Sequence, residues 1–422
     1  MGKVIALGLV ASIFVTPAAS HFQAQQKKEN RPAATSLSRK SGIDAGRITR
    51  LQSRMQSFVN QGRTSGMVTL VAHKGTIISL SAIGVQDLDT GRPMKTDTIF
   101  QIASMTKPIT AAGIMLLVED GLLALTDPVE KFLPQFADIQ MIVSAAERTQ
   151  GSELSEVRKP SRTPTIRELL THTSGMGSGY PASIKDLFDK RDKSLAAAVE
   201  LFAKLPLEFE PGTQWGYSNM GIAVLGRIIE IVSGRPYPVF INDRILRPLG
   251  MKDSHFFVPE EKHNRIASIY IFEGGKLKKA NLDIYRTDAI YPSPEAGLYS
   301  TAPDLFRFYQ MMLNGGTLDG QQILSSASVE LMTQVHTGDL KAGFSPGVGF
   351  GLGWSVVRNV EGMFRFNSIG TFSHGGLYKT YGYVDPVKEL IGIILLQRLS
   401  NDGDLSEEIN AFIAMSSLAV LN

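Results

Sequence analysis

The sequence predicts an α/β fold of the α+β kind, an antiparallel sheet flanked by helices. Short β-rich runs lie at both ends of the chain, around 66–80 and from 350 onward, while the long stretch between them is dominated by helical spacing. This distribution implies a sheet assembled from N- and C-terminal segments and interrupted by a mostly helical inserted domain. No internal repeat suggests a solenoid instead.

Taken in order, the chain opens with Met1-Gly2-Lys3, an apolar stretch over 4–15 and then Pro17-Ala18-Ala19-Ser20. A basic start, a short apolar run and small residues form a signal peptide at 1–20, too short to span a bilayer convincingly. Residues 21–47 are polar with few aromatics and predict a flexible linker. Export to the periplasm or the exterior is expected, with no stable membrane insertion once the signal is cleaved. Leu51, Met55 and Phe58 place an amphipathic helix over 48–58, and Lys74-Gly75 turns a hairpin within 66–80. In the run after Phe100, Ile109, Ala112, Gly113, Leu116 and Leu117 recur at helical spacing up to Asp120-Gly121, giving an amphipathic helix whose first turn carries Ser104 and Lys107.

Prolines at 128 and 134 break 122–136 into short pieces, and the polar stretch 140–161 reads as a surface excursion. Thr165 and Glu168 have capping-box spacing and start a short helix leading to His172. Residues 193–202 are helical in pattern. The turn-rich loop Pro211-Gly212-Thr213-Gln214-Trp215-Gly216-Tyr217-Ser218-Asn219 feeds a helix with Ile222, Leu225, Ile228, Ile229 and Val232 on its apolar face and Gly234 as its stop. Residues 269–272 with Gly274-Gly275 form a local hairpin, and Thr301 to Asp304 opens a helix that runs to Leu313. Four β-rich runs, at 350–357, 363–373, 381–385 and 390–397, precede a helix over 406–414. The resulting division is a sheet domain of 48–103 and 301–422 and a helical domain of 104–300, with Ser104 at their interface.

Composition removes several function classes. The 422 residues are 43% hydrophobic and 20% charged, an ordinary globular balance. A net charge of +3 without a Lys/Arg stripe gives no nucleic-acid footprint. Cysteine is absent, so disulfides, thiol nucleophiles and cysteine-based zinc sites are all unavailable. The seven histidines show neither His-x-His nor His-Glu-x-x-His spacing, so a metal-dependent mechanism is disfavoured.

Two serines have candidate nucleophile contexts. Gly343-Phe344-Ser345-Pro346-Gly347 matches the Gly-x-Ser-x-Gly elbow, but there the residue after serine must donate its backbone N–H, and Pro346 has none. The stretch is also glycine-rich loop, not a strand running into a helix, so Ser345 is a decoy. In Ser104-x-x-Lys107, a lysine shielded from water can act as the base that a serine hydroxyl needs. By itself this spacing fits equally an N-cap serine with a solvated lysine, and Pro108 disfavours a helical Lys107. Tyr217 and Asn219 sit where a loop enters a helix, as reacting groups do, although packing and capping explain them as well. His172 and His255 read as structural, the former through a backbone hydrogen bond at a helix end.

Read together, Ser104-x-x-Lys107, Tyr217-Ser218-Asn219 and Ser373-His374-Gly375-Gly376 resemble the serine β-lactamase and penicillin-recognising enzyme superfamily, in its class C-like branch. Leu169-Leu170-Thr171-His172-Thr173-Ser174-Gly175, Gly297-Leu298-Tyr299-Ser300-Thr301 and Gly351-Leu352-Gly353-Trp354 extend the likeness from about Gly66 to the C-terminus. The resemblance implies a β-lactamase/transpeptidase-like fold in which Ser104 attacks a carbonyl and Lys107 and Tyr217 share general-base and general-acid duty. It further implies that Asn219 orients substrate or lysine, that His374, Gly375 and Gly376 line the substrate, and that the N–H groups of Ser104 and Leu377 form the oxyanion hole. His374 stands where class C β-lactamases have lysine and many family VIII carboxylesterases have tryptophan. A histidine of ordinary pKa is mostly neutral at pH 7, which favours neutral esters over carboxylate-bearing substrates. The expectation is an exported, cofactor-free carboxylesterase working on short to medium acyl esters through an acyl-enzyme. Alternatives are a β-lactamase or D-alanyl-D-alanine carboxypeptidase or D-aminopeptidase acting on an amide, an acyltransferase, and a non-catalytic penicillin-binding sensor. Oligomeric state is left open.

Overall fold

The computed structural model describes residues 42–143, 156–177, 184, 187, 190–280, 288–361, 366–400 and 406–421. The signal peptide at 1–20 and the linker up to 41 lie outside the described residues. Helix α1 (Ala45–Asn60) leads into strands β1 (Gly66–His73), β2 (Thr76–Asp87) and β3 (Arg92–Pro93). The inserted part carries α2 (Lys107–Glu119), α3 (Ile166–Thr171), α4 (Leu195–Phe202), α5 (Asn219–Ser233) and α6 (Tyr237–Ile241), followed by α7 (Ala302–Leu313) and α8 (Ser326–Thr333). Strands β4 (Val348–Phe350), β5 (Ser355–Val357), β6 (Phe372–Gly375), β7 (Tyr381–Asp385) and β8 (Leu390–Leu395) precede α9 (Glu407–Ala419).

The sheet runs β4-β5-β6-β7-β8-β1-β2-β3 with antiparallel ladders throughout, so the N-terminal hairpin is joined to the C-terminal meander by the β1–β8 pair. These two central strands are buried at every position, which is why both are largely apolar, β8 without a break and β1 interrupted only by Thr69 and His73. Successive side chains point to opposite faces. Val68, Leu70, Ile391 and Ile393 join the core shared with α2 and α7, whereas Met67, Val71, Leu390 and Ile394 pack with Leu51, Met55 and Phe58 of α1 and Phe412 and Ile413 of α9.

Several expectations change on the structure. The linker expected to reach residue 47 is part of the fold from Gly42: Ile43 bridges Val420, Asp44 caps α1 by accepting from the Arg47 N–H, and the helix starts at Ala45. Apolar spacing begins only at Ile48 because the first turn faces solvent. The helix after Ser104, expected to be amphipathic, is buried all round from Lys107 to Leu117, being held between the sheet and α5 and α6. The run at 350–357 is two strands, because Gly351-Leu352-Gly353 turns back and sends the Leu352 and Gly353 N–H groups to carbonyls of Met332 and Leu170. Within 363–373 only Phe372 and Ser373 are strand among the described residues; 362–365 lie outside them.

The ends of the insertion are tied together beside Ser104. Phe100–Gln101 pairs antiparallel with Tyr299–Ser300, and the Ile102 N–H reaches the Leu298 carbonyl at 3.1 Å. Among the described residues no helix is long and apolar enough to cross a membrane.

Candidate active site

Ser104 lies in a single 3₁₀ turn, Ala103–Thr106, that runs directly into α2. The turn is entered through Ala103 at φ 47°, a left-handed conformation that costs a non-glycine residue energy and is characteristic of positions the surroundings enforce. Lys107 is helical (φ −57°, ψ −44°) despite the proline after it. Its amine therefore comes back over the turn to lie 3.0 Å from Ser104 Oγ.

The same ammonium reaches Asn219 Oδ1 at 2.7 Å and the Glu295 carbonyl at 2.8 Å. These two acceptors use two N–H bonds, so an uncharged Lys107 turns its lone pair toward the Ser104 hydroxyl. Lys107 is fully buried, and burial pushes its pKa down to about 7, while the Glu295 charge pulls the other way. Glu295 is itself 1% exposed; its carboxylate, held above the usual range by burial, accepts from Ser293 Oγ at 2.6 Å and from Tyr291 Oη.

Tyr217 is aimed by the chain on either side of it. His172, the left-handed cap of α3, accepts the Gly216 N–H on its carbonyl and the Ser218 N–H on Nδ1 at 3.1 Å, and its ring lies 4.5 Å from that of Tyr217. His172 thus does the structural work its place at a helix end suggests. Ser218 caps α5 by accepting the Gly221 N–H, which leaves Asn219, the first residue of the helix, free to hold Lys107. The Tyr217 phenol lies within electrostatic reach of the Ser104 side chain, and burial holds it well above its ordinary range, so it stays protonated. Lys107 Nζ sits 4.8 Å from the centre of its ring.

Strand β6 brings the third segment. A Cβ on Gly376 would fall 2.1 Å from Thr380 Oγ1 and 2.4 Å from the Ile102 carbonyl, so only glycine lets the strand end lie against the nucleophile turn. Thr380 Oγ1 donates to that carbonyl at 2.9 Å. Leu377 follows in the turn, exposed and outside the β6–β7 ladder. His374 is buried; its Nδ1–H donates to the Gly375 carbonyl at 2.7 Å, and Nε2 has no protein partner among the described residues. Burial, reinforced by the charge of Lys107, pushes this imidazole down to about 3.

The sequence thus puts Ser104, Lys107, Tyr217, Asn219 and His374 in one cleft, fed from α2, α5 and β6. Ser345 is elsewhere in character, in a bend before β4 with no helix after it.

The Beta-lactamase family model matches residues 51–414. The chain belongs to the β-lactamase family. It is 35% identical to Protein Rv1367c of Mycobacterium tuberculosis, covering 86% of this chain and 92% of that protein. It is 31% identical to Esterase EstB of Burkholderia gladioli over 86% of this chain and 93% of the other. Among solved structures, EstCE1, described as a hydrolase with promiscuous acyltransferase activity, superposes with a TM-score of 0.75 at 25% identity, covering 89% of this chain and 98% of that one. This β-lactamase family member is a serine hydrolase.

Residue-by-residue reading missed several groups that complete the family's cleft here. Glu295 sits in Ser293-Pro294-Glu295-Ala296-Gly297, a stretch whose only local signal is a turn. Trp215, Phe344 and Phe350 surround Tyr217 and His172, with ring centres 5.5 Å apart for Trp215–Phe350 and 5.1 Å for Tyr217–Phe344. Trp215 could have been noticed as the large aromatic two residues before Tyr217; Phe344 was hidden inside the decoy pentapeptide.

Proposed function

We propose that the protein is a carboxylesterase that cleaves uncharged short- to medium-chain acyl esters through an acyl-Ser104 intermediate. The observation that carries this reading is the buried, neutral His374 on the strand that lines the substrate, where a lysine would offer a substrate carboxylate a permanent cation. The charge of Lys107 is engaged inside the protein and is not available for that task.

In the first half-reaction neutral Lys107 takes the proton of Ser104 Oγ as the oxygen bonds to the ester carbonyl carbon. The resulting oxyanion is held by the N–H groups of Ser104 and Leu377, donors of a kind worth roughly 100- to 1,000-fold in rate each. Tyr217 donates its proton to the leaving alkoxide and recovers one from Lys107, so the alcohol departs neutral. Water then gives a proton to the same pair, attacks the acyl carbon, and Ser104 leaves with its proton restored. No cofactor enters the scheme.

Ser104→Ala is expected to abolish hydrolysis of short nitrophenyl esters, with Ser345→Ala close to wild type; damage from the second substitution alone would move the nucleophile. Turnover of a chromogenic cephalosporin or a D-Ala-D-Ala peptide well above that of esters would replace the esterase reading with the β-lactamase or peptidase one. Transfer of the acyl group to an alcohol is a second reading, supported by the description of EstCE1 and by the fact that the same intermediate serves both acceptors. Export is also proposed, on the basic, apolar and small-residue layout of 1–20; loss of that segment in the periplasmic or secreted protein, read by N-terminal mass, is the check.

A further inference from the structure

The pentapeptide Gly343-Phe344-Ser345-Pro346-Gly347 carries no nucleophile, yet its loop has an enforced shape. Gly343 and Gly347 take φ of 75° and 77°, and a Cβ on Gly347 would come within 2.6 Å of the Glu361 carbonyl and 2.7 Å of the Asn359 carbonyl. The Gly347 carbonyl accepts N–H groups from both Arg358 and Asn359. What this fixed loop presents is Phe344. Phe344 is 76% exposed, and its ring still meets Tyr217 at 5.1 Å and Trp215 at 5.5 Å, edge to face in each case.

Around the Tyr217 ring, Lys107, His172 and His374 are buried, whereas Phe344 is open to solvent. The approach to the Tyr217 hydroxyl therefore passes the phenyl face. We infer that Phe344 and Trp215 form the binding wall for the alcohol portion of the ester, and that the preferred substrates carry an aromatic alcohol. This rests on the esterase reading, in which Tyr217 protonates the leaving oxygen. The group bonded to that oxygen then extends along the wall beside Tyr217, while the acyl carbon stays at Ser104 and the end of β6. A flat ring suits the wall because aromatic pairs favour edge-to-face or offset contacts at centroid spacings of about 4.5–7 Å.

The test compares kcat/KM for benzyl acetate, methyl acetate and methyl benzoate in wild type, Phe344→Ala and Phe344→Leu, with thermal melts to verify folding. The benzyl-to-methyl acetate ratio is expected to fall about five- to tenfold in Phe344→Ala and by less in Phe344→Leu, the size of an aromatic pair contribution. The benzoate-to-acetate ratio for the methyl esters should stay fixed. An unchanged benzyl ratio overturns the inference, and so does a shift confined to the benzoate ratio, which would put the ring on the acyl side. Benzyl alcohol binding to Ser104→Ala, followed by tryptophan fluorescence with and without Phe344→Ala, gives a readout that needs no turnover. Binding that depends on Phe344 supports the wall, and Phe344-independent binding or none overturns it. Failure of the esterase reading looks different: no ester is turned over by wild type, or turnover persists in Ser104→Ala.

Discussion

The charge state of Lys107 gives the sharpest test of the proposed mechanism. A lysine with an ordinary pKa near 10.4 is neutral in only about one molecule in 2,500 at pH 7. Burial brings Lys107 down to about 7, so about half the molecules hold the neutral amine that Ser104 requires. His374, His172 and Tyr217, which also face it, do not change charge in this range: His374 is pushed down to about 3, His172 lies well below its ordinary value, and Tyr217 stays a phenol. On this basis kcat/KM for a nitrophenyl ester is expected to rise with pH along a single ionisation near 7, reach a plateau above pH 8, and stand at about one-tenth of that plateau at pH 6. Glu295 supplies the internal control. Its negative charge favours the protonated amine, so Glu295→Gln removes an attraction for the proton and the ascending limb must move to lower pH. The positive charge of Arg191, which favours the ionised Glu295, remains in the variant. A stopped pH series on both proteins, with melting temperatures to establish folding, decides the matter. A flat profile between pH 6 and 8, or a limb that moves to higher pH in Glu295→Gln, refutes Lys107 as the base.

Two further substitutions test the scaffold. Gly376→Ala drives a methyl group into Thr380 Oγ1 and the Ile102 carbonyl, and is expected to lower kcat about 100-fold by displacing the Leu377 N–H that the proposed mechanism places at the oxyanion, at a stability cost of about 1–3 kcal/mol measured by urea unfolding. Arg398→Met removes one of the two arginines on Glu408, where Arg398 and Glu408 are 0% and 1% exposed, and should cost about 3 kcal/mol in the same assay while folded enzyme keeps its wild-type kinetics.

How much of this was legible in the sequence depends on the range over which each signal acts. The Thr165 capping box, the Gly234 stop and the Lys74-Gly75 hairpin are local chemistry, and the structure has each of them: reciprocal bonds between Thr165 and Glu168, φ 66° at Gly234, and β1 paired to β2. Strand β1 was visible because burial on both faces makes most of its positions apolar, with Thr69 and His73 as the polar ones. The helix after Ser104 was misjudged as amphipathic for the converse reason. The residues expected on its solvent side are small or aliphatic, and whether Ala111 meets water is decided by the turn at Gly353, far along the chain. Glu295 was illegible for the same reason: it reaches Lys107 only because Phe100–Gln101 and Tyr299–Ser300 close the insertion.

Burial links the chemistry of the cleft to its selectivity. To make Lys107 a base near neutral pH, the protein excludes water from the amine, and the same exclusion keeps His374 neutral. The cleft consequently offers a substrate few full charges and relies on oriented dipoles, chiefly backbone N–H groups, where charge develops. On the proposed esterase reading, such a site has little electrostatic means of choosing among neutral esters, so discrimination falls to apolar contact. That is why the exposed ring of Phe344, held against Tyr217 by a loop that turns at positive-φ glycines where a side chain would clash, is the part of the cleft where substrate preference has room to be set.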